Sequence, residues 1–182
     1  MQKSGARRRY SASDLVNYAA CAHLTTLDLV NLDTPLPKAV DSEEMELIAA
    51  KGFAHEAKYW EHLKKEHKTV VDLARDGATD DELAAATKAA LRRGDDVLFQ
   101  ATLLSDPWVG HADFLTRVDT PSGLGNFSYE VADTKLARTS QAKFLVQLCL
   151  YSEMLAELQG VMPTRMHVVL GDGRRESCLV ED

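Results

Sequence analysis

Asp113, Asp133 and Lys135 are the residues whose types and spacing could do chemistry. They lie in residues 108–136, WVGHADFLTRVDTPSGLGNFSYEVADTKL, where two β-prone runs flank a Thr-Pro-Ser-Gly-Leu-Gly-Asn turn cluster. Alternation places Val109, His111, Asp113 and Leu115 on one face of the first run, and Tyr129, Val131, Asp133 and Lys135 on one face of the second. Folding the hairpin about Gly123 sets Asp113 opposite Asp133. Opposed side chains on antiparallel strands lie roughly 4.5–5.5 Å apart at Cβ, and like charges there are destabilising. Something positive should sit between them: either Lys135, one pleat further along, or, better, a divalent cation that takes hard oxygen ligands. One bulged residue would shift this register, although parity still favours a shared face.

The elements that must position these residues follow from periodicity and punctuation. SASDLVNYAACAHLTTLDLVN reads as one helix with Ser11 or Ser13 as N-cap and Leu15, Tyr18, Ala22 and Leu29 at roughly helical spacing. After the breaker DTPLPKAV, Asp41 and Glu44 have capping-box spacing and open a long helix to about Lys65. Its expected apolar stripe is Met45, Ile48, Gly52, His55, Tyr59 and Leu63, which turns His55 inward. Residues 69–73 read as a short strand. Thr79 and Glu82 form a second capping box for a helix closed by Gly94. Residues 96–104 are β-prone and should complete a three-stranded meander with the hairpin. A helix over residues 140–159 carries Phe144, Leu148, Tyr151, Leu155 and Leu158 and stops at Gly160; two short strands then turn at Asp172-Gly173. This order predicts an α/β fold, a mixed central sheet flanked by helices.

Composition permits this and narrows the classes. A chain of 182 residues, 45% hydrophobic and 27% charged, fits one globular domain. No apolar run approaches the ~20 residues of a membrane span, and the basic start leads into polar SASDL rather than a signal-peptide core. The expected location is therefore the cytoplasm, with no membrane partner. Residues 1–10 are expected to be a flexible basic tail, and residues 11–182 the folded domain. The abrupt end in ESCLVED admits a fragment of a longer chain. Cys21, Cys149 and Cys178 are too few and too scattered for a disulfide framework. The net charge of −7 argues against a dedicated nucleic-acid-binding module, though an acidic metal cleft with local basic clusters is compatible with it.

Asp113 followed by Asp133-Thr134-Lys135 resembles the D…(D/E)xK core of the PD-(D/E)xK nuclease superfamily. GHADFL resembles the G-x-x-D-x-x block of its RecB-like members, and GFAHEAKYW their G-x-x-H block. Gln147 and Tyr151 have that family's QxxxY spacing, and SASDLVNYAAC resembles its N-terminal entry. The chain is thus similar to the RecB-like nuclease family over most of its length. The resemblance implies a restriction-endonuclease-like core of αβββαβ order. It also implies Mg²⁺ or Mn²⁺ held by His55, Asp113, Asp133 and the Thr134 carbonyl, with Lys135 beside the attacking water and Gln147 and Tyr151 in supporting positions. It further implies DNA as partner, as single strands or ends in repair or recombination, and a helicase domain or subunit. An iron–sulfur cluster, present in several such families, is not expected here, because only Cys21 matches a ligand position.

Residue chemistry alone is compatible with phosphodiester hydrolysis. Two carboxylates and an imidazole can hold one cation with positions open for water and phosphate, and Lys135 can stabilise developing charge or orient the water. Alternatives stand beside it. The acids and Lys135 could be a cross-strand ion pair, His55 a core histidine, and Gln147 and Tyr151 packing residues, in a non-catalytic nucleic-acid-binding or scaffold domain of a larger helicase–nuclease. His111 shares the Asp113 face as a candidate helper, whereas Glu130 falls on the face opposite Asp133.

Overall fold

The computed structural model describes residues 1–4, 7–37 and 39–181. Strands β1 (Gln2–Ser4) and β2 (Arg7–Arg9) form a small antiparallel sheet, followed by α1 (Ala12–Ala20), α2 (Ala22–Asp33), α3 (Glu43–Glu66), β3 (Val70–Asp72) and α4 (Asp80–Arg93). The meander β4 (Val97–Ser105), β5 (Trp108–Val118) and β6 (Ser128–Lys135) comes next, then α5 (Ala142–Gln159), β7 (Arg165–Leu170) and β8 (Arg175–Leu179). The main sheet has the order β3-β4-β5-β6-β7-β8. Its β3–β4 and β6–β7 pairs are parallel and the others antiparallel. The fold is therefore α/β with a mixed six-stranded sheet and flanking helices, and among the described residues no helix is long and apolar enough to cross a membrane.

Each face of the sheet is closed by a different helix. On one face α5 contributes Phe144, Leu148, Tyr151, Met154 and Leu155, which pack on Leu103, Leu115 and Val131, while Ala90 and Leu91 of α4 join the same core. On the other face Trp60 and Leu63 of α3 cover Val97, Phe114 and Ala132. Strict alternation along β5 and β6 produces this division: Leu115 and Val131 point to α5, and their neighbours Phe114 and Ala132 point to α3. The expected register holds, with Leu115 opposite Val131 and Phe114 opposite Ala132. Asp113 and Asp133 are the next residues along and share the α5 face.

Several expectations need correction. The single N-terminal helix is two, because Cys21 adopts an extended backbone (φ −161°, ψ 109°) and ends α1 while starting α2. Packing overrides local propensity there, since α1 must rest on α5 while α2 folds back on α1. The cap of α3 is Ser42, whose hydroxyl accepts the Met45 N–H, and not Asp41. The predicted stripe of α3 is buried only near its end: Met45, Ile48 and also Phe53 are exposed, whereas Trp60, absent from that stripe, is buried. Twenty-four residues make a helix about 36 Å long, which outruns the strands it covers. Tyr18, expected inward, is exposed as well.

The expected solvated tail is instead a paired hairpin. Arg7–Arg9 pairs with Gln2–Ser4, and the Arg9 guanidinium donates to both carboxylate oxygens of Asp81 at 3.0 Å. Asp80 and Asp81 lie in the first turn of α4, where acids are favoured by the helix dipole and remain available to a cation. Tyr10 continues from this hairpin into contact with β5, its carbonyl accepting the Val109 N–H at 2.8 Å.

Candidate active site

The candidate site lies where β5 and β6 approach the start of α5. Asp133 is 2% exposed, a costly place for a carboxylate unless it is compensated. Its Oδ1 accepts from Gln147 Nε2 at 3.2 Å. Its Oδ2 has no hydrogen bond of ordinary geometry and meets only the Lys135 ammonium in an ion pair. Burial, reinforced by the Asp113 charge and only partly offset by Lys135, pushes the Asp133 carboxyl up to about 7. The Asp113 charge is the second cause of that rise, as expected where two carboxylates crowd one site.

Asp113 is held from the neighbouring strand. Its Oδ2 accepts the Thr134 N–H at 2.8 Å and the Thr134 hydroxyl at 2.9 Å. Thr134 thereby fixes one acid by its own donors while its chain neighbours, Asp133 and Lys135, supply the other acid and the cation. Tyr151 stands one turn beyond Gln147, its hydroxyl oxygen 3.4 Å from Gln147 Nε2. Burial and the nearby Asp133 push its phenol up to about 12, so it stays protonated. Gly110 makes room for this ring, since a Cβ there would lie 2.7 Å from a Tyr151 ring carbon. Beside Lys135 a cavity of about 290 Å³ opens between α1 and α5, lined by Asn17, Lys143, Phe144 and Gln147 among others.

Five of the expected residues, Asp113, Asp133, Lys135, Gln147 and Tyr151, thus converge, with Thr134 as their bridge. His55 does not join them. Its Nε2 lies 3.2 Å from the Val169 carbonyl oxygen, on the side of the sheet that α3 covers, and among the described residues no group of three or more His, Cys, Asp and Glu side chains is disposed to hold a metal ion. His111 turns away to Asp80, 3.6 Å distant, and to the Thr102 hydroxyl. Glu130 falls opposite Asp133 as alternation requires; it accepts from the Arg165 N–H and lies 2.8 Å from His167 Nε2, in a buried polar clasp between β6 and β7.

Two residues outside the sequence-based set enter the site. Glu56, the neighbour of His55, accepts from Gln100 Nε2 at 2.7 Å, and burial together with the Asp113 charge raises its carboxyl above the ordinary range. Gln100 has a left-handed backbone, φ 54°. It interrupts the β4–β5 ladder between the Phe99–Phe114 and Ala101–Ala112 pairs, at the position facing Asp113. The available signal for Glu56 was its spacing four residues after Gly52, which puts both on one helix face; Gly52 faces Leu136, next to Lys135. Nothing in the sequence marks Gln100.

The arrangement can bind a hard cation through two acids, present an ammonium beside it and orient both acids by neutral donors. No family model matches the chain, and no curated protein sequence matches it.

Proposed function

We propose that the protein is a metal-dependent nuclease that hydrolyses phosphodiester bonds of DNA on a restriction-endonuclease-like core, with single strands or ends as substrate in repair or recombination. The observation that carries this reading is Asp133: a buried carboxylate facing a second one, with an oxygen left to a single ammonium. A protein that needed only a structural ion pair would gain nothing from adding the second acid.

The residues present fit Mg²⁺ or Mn²⁺. Asp113, Asp133 and the Thr134 carbonyl would hold it, and Glu56, whose carboxyl feels the Asp113 charge, adds negative charge in the surroundings. Hard oxygen ligands of this kind suit both ions, and the bound cation supplies charge neutralisation at the phosphate and a more acidic water. Thr134 keeps Asp113 in place through two hydrogen bonds, and Gln147, backed by Tyr151, does the same for Asp133. Lys135 offers positive charge at the cavity shared with Lys143, where a phosphate can enter from the α1–α5 side. Hydrolysis adds water to phosphorus as a bridging P–O bond breaks, and a proton from that water ends on the departing hydroxyl. Preorganised positive charge that strengthens against the transition state is the main contribution of such a site. The RecB-like resemblance places His55 among the ligands; joining them would require it to leave the Val169 carbonyl.

The test is cleavage of end-labelled single- and double-stranded DNA by the purified chain with Mg²⁺ or Mn²⁺, beside Asp113→Ala. Cleavage that depends on metal and disappears in the variant supports the nuclease. DNA binding without cleavage under any of these conditions would replace it with the non-catalytic domain of a larger helicase–nuclease.

A further inference from the structure

We propose that a second site, a groove along α3 on the opposite face of the sheet from Asp133, binds a phosphate-bearing nucleotide. The groove has a volume of about 450 Å³ and runs beside α3 from His55 to His67, against Thr116 of β5, Val169 of β7 and the turn into β8. Twelve residues of helix correspond to about 18 Å, room for more than a single phosphate.

Its donors are left over by the fold. Among the described residues Lys58 and Arg175 have no carboxylate within ion-pair distance; of the two acids at the rim, Asp172 pairs with Arg174, and Glu66 lies 3.3 Å from His62, which also lines the groove. The Tyr59 hydroxyl has no hydrogen-bond partner among the described residues, and burial raises its phenol, which keeps it a donor. The Tyr59 ring is fixed edge-on against Phe114, with centroids 5.1 Å apart, and lies 6.0 Å from the His62 ring. A lysine and a guanidinium meet phosphate oxygens, and fixed aromatic rings offer a base a stacking surface. Two unpaired cations in a concave site are notable on a chain of net charge −7. The groove and the acidic cluster share one helix: His55 lines the groove, and Glu56, the next residue, turns to Gln100 and the Asp113 side. The proposal extends the nuclease reading but requires no cleavage.

The experiment measures binding in EDTA, so that it is independent of turnover. Fluorescence anisotropy follows a short labelled single-stranded oligonucleotide, and dAMP titrated by calorimetry is the second arm. The variant is Lys58→Gln with Arg175→Gln; Lys88→Gln with Arg92→Gln, on α4, is the charge-matched control. The expected result is a loss of affinity of about tenfold in the groove variant and a salt dependence shallower by about 1.4, two contacts at ~0.7 each for a single strand, with the control unchanged. Loss in the oligonucleotide arm alone assigns the groove to a strand, and loss in the dAMP arm as well assigns it to a free nucleotide. Equal binding by the groove variant and the wild type, or no binding of either ligand by the wild type, overturns the proposal. Failure of the nuclease reading would appear separately, as absent cleavage with the groove's binding intact.

Discussion

Replacing Asp133 with asparagine should stabilise the metal-free protein near neutral pH, which is unusual for a buried polar position. In the folded state the carboxyl is pushed from 3.8 to about 7, first by burial and then by Asp113. Its folded pKa is raised, so between those values the folded state holds a proton that the unfolded state has released. Stability therefore falls as pH rises across that window, and the full cost applies above it. At 1.36 kcal/mol per pH unit the cost reaches about 4 kcal/mol. Part of it is repulsion from Asp113, which depends on the state of that neighbour, so Asp133→Asn should exceed wild type by about 2–4 kcal/mol at pH 8 and match it near pH 4. Lys135, whose side chain is 25% exposed, can turn to solvent when its partner charge is gone. Urea denaturation in EDTA at several pH values reads the difference directly. Mn²⁺ should then raise wild-type stability by binding the folded state and leave the variant nearly unchanged. Equal pH profiles would refute the reasoning: Asp133 would be ionised and satisfied by Lys135 alone, with no deficit for a cation to fill.

Two further perturbations separate the roles around this carboxylate. Lys135→Ala removes positive charge but no ligand, so single-turnover cleavage should drop on the order of 10²–10³-fold while calorimetric Mn²⁺ affinity holds or rises; near-wild-type cleavage would reduce Lys135 to a structural partner. Gly110→Ala puts a methyl group 2.7 Å from the Tyr151 ring, and overpacking of this kind should cost about 1–3 kcal/mol by chemical denaturation. Because Tyr151 backs Gln147, cleavage should fall as well, and pairing the change with Tyr151→Leu should restore stability without restoring activity.

The parts of the site that were legible in the sequence are those fixed by short-range rules. Period-two alternation around a Gly- and Pro-rich turn sets the β5–β6 register, and the observed Leu115–Val131 pairing leaves Asp113 and Asp133 on one face. Thr79, Glu82 and Gly94 delimit α4 through a capping box and a left-handed C-cap. What eluded the sequence depends on distant partners. The N-terminal hairpin is tied down by Asp81, more than seventy positions away, and Cys21 carries no breaker signal of its own. The phase of α3 went wrong for a related reason. Met45 and Ile48 lie on a stretch that covers no core, so the apolar stripe drawn through them did not show which side chains α3 turns towards the strands, and Glu56, which accepts from Gln100, was passed over.

Gln100 shows why the remaining portion could not be read at all. A non-glycine residue with a left-handed backbone costs of order 1–3 kcal/mol and persists only where its surroundings over-determine it. Its surroundings are the site itself: the ladder opens opposite Asp113, and the Gln100 amide is bound by the Glu56 carboxylate from α3. Regular pairing at this step would leave the half-buried Glu56 carboxylate without that donor and under the influence of the Asp113 charge, a cost that opposes the strain. The kink therefore links the helix on one face of the sheet to the acids on the other. It also explains how α3 can serve both the acidic cluster and the groove: one strained residue anchors Glu56, while His55, about 100° round the helix, reaches the Val169 carbonyl beside the groove.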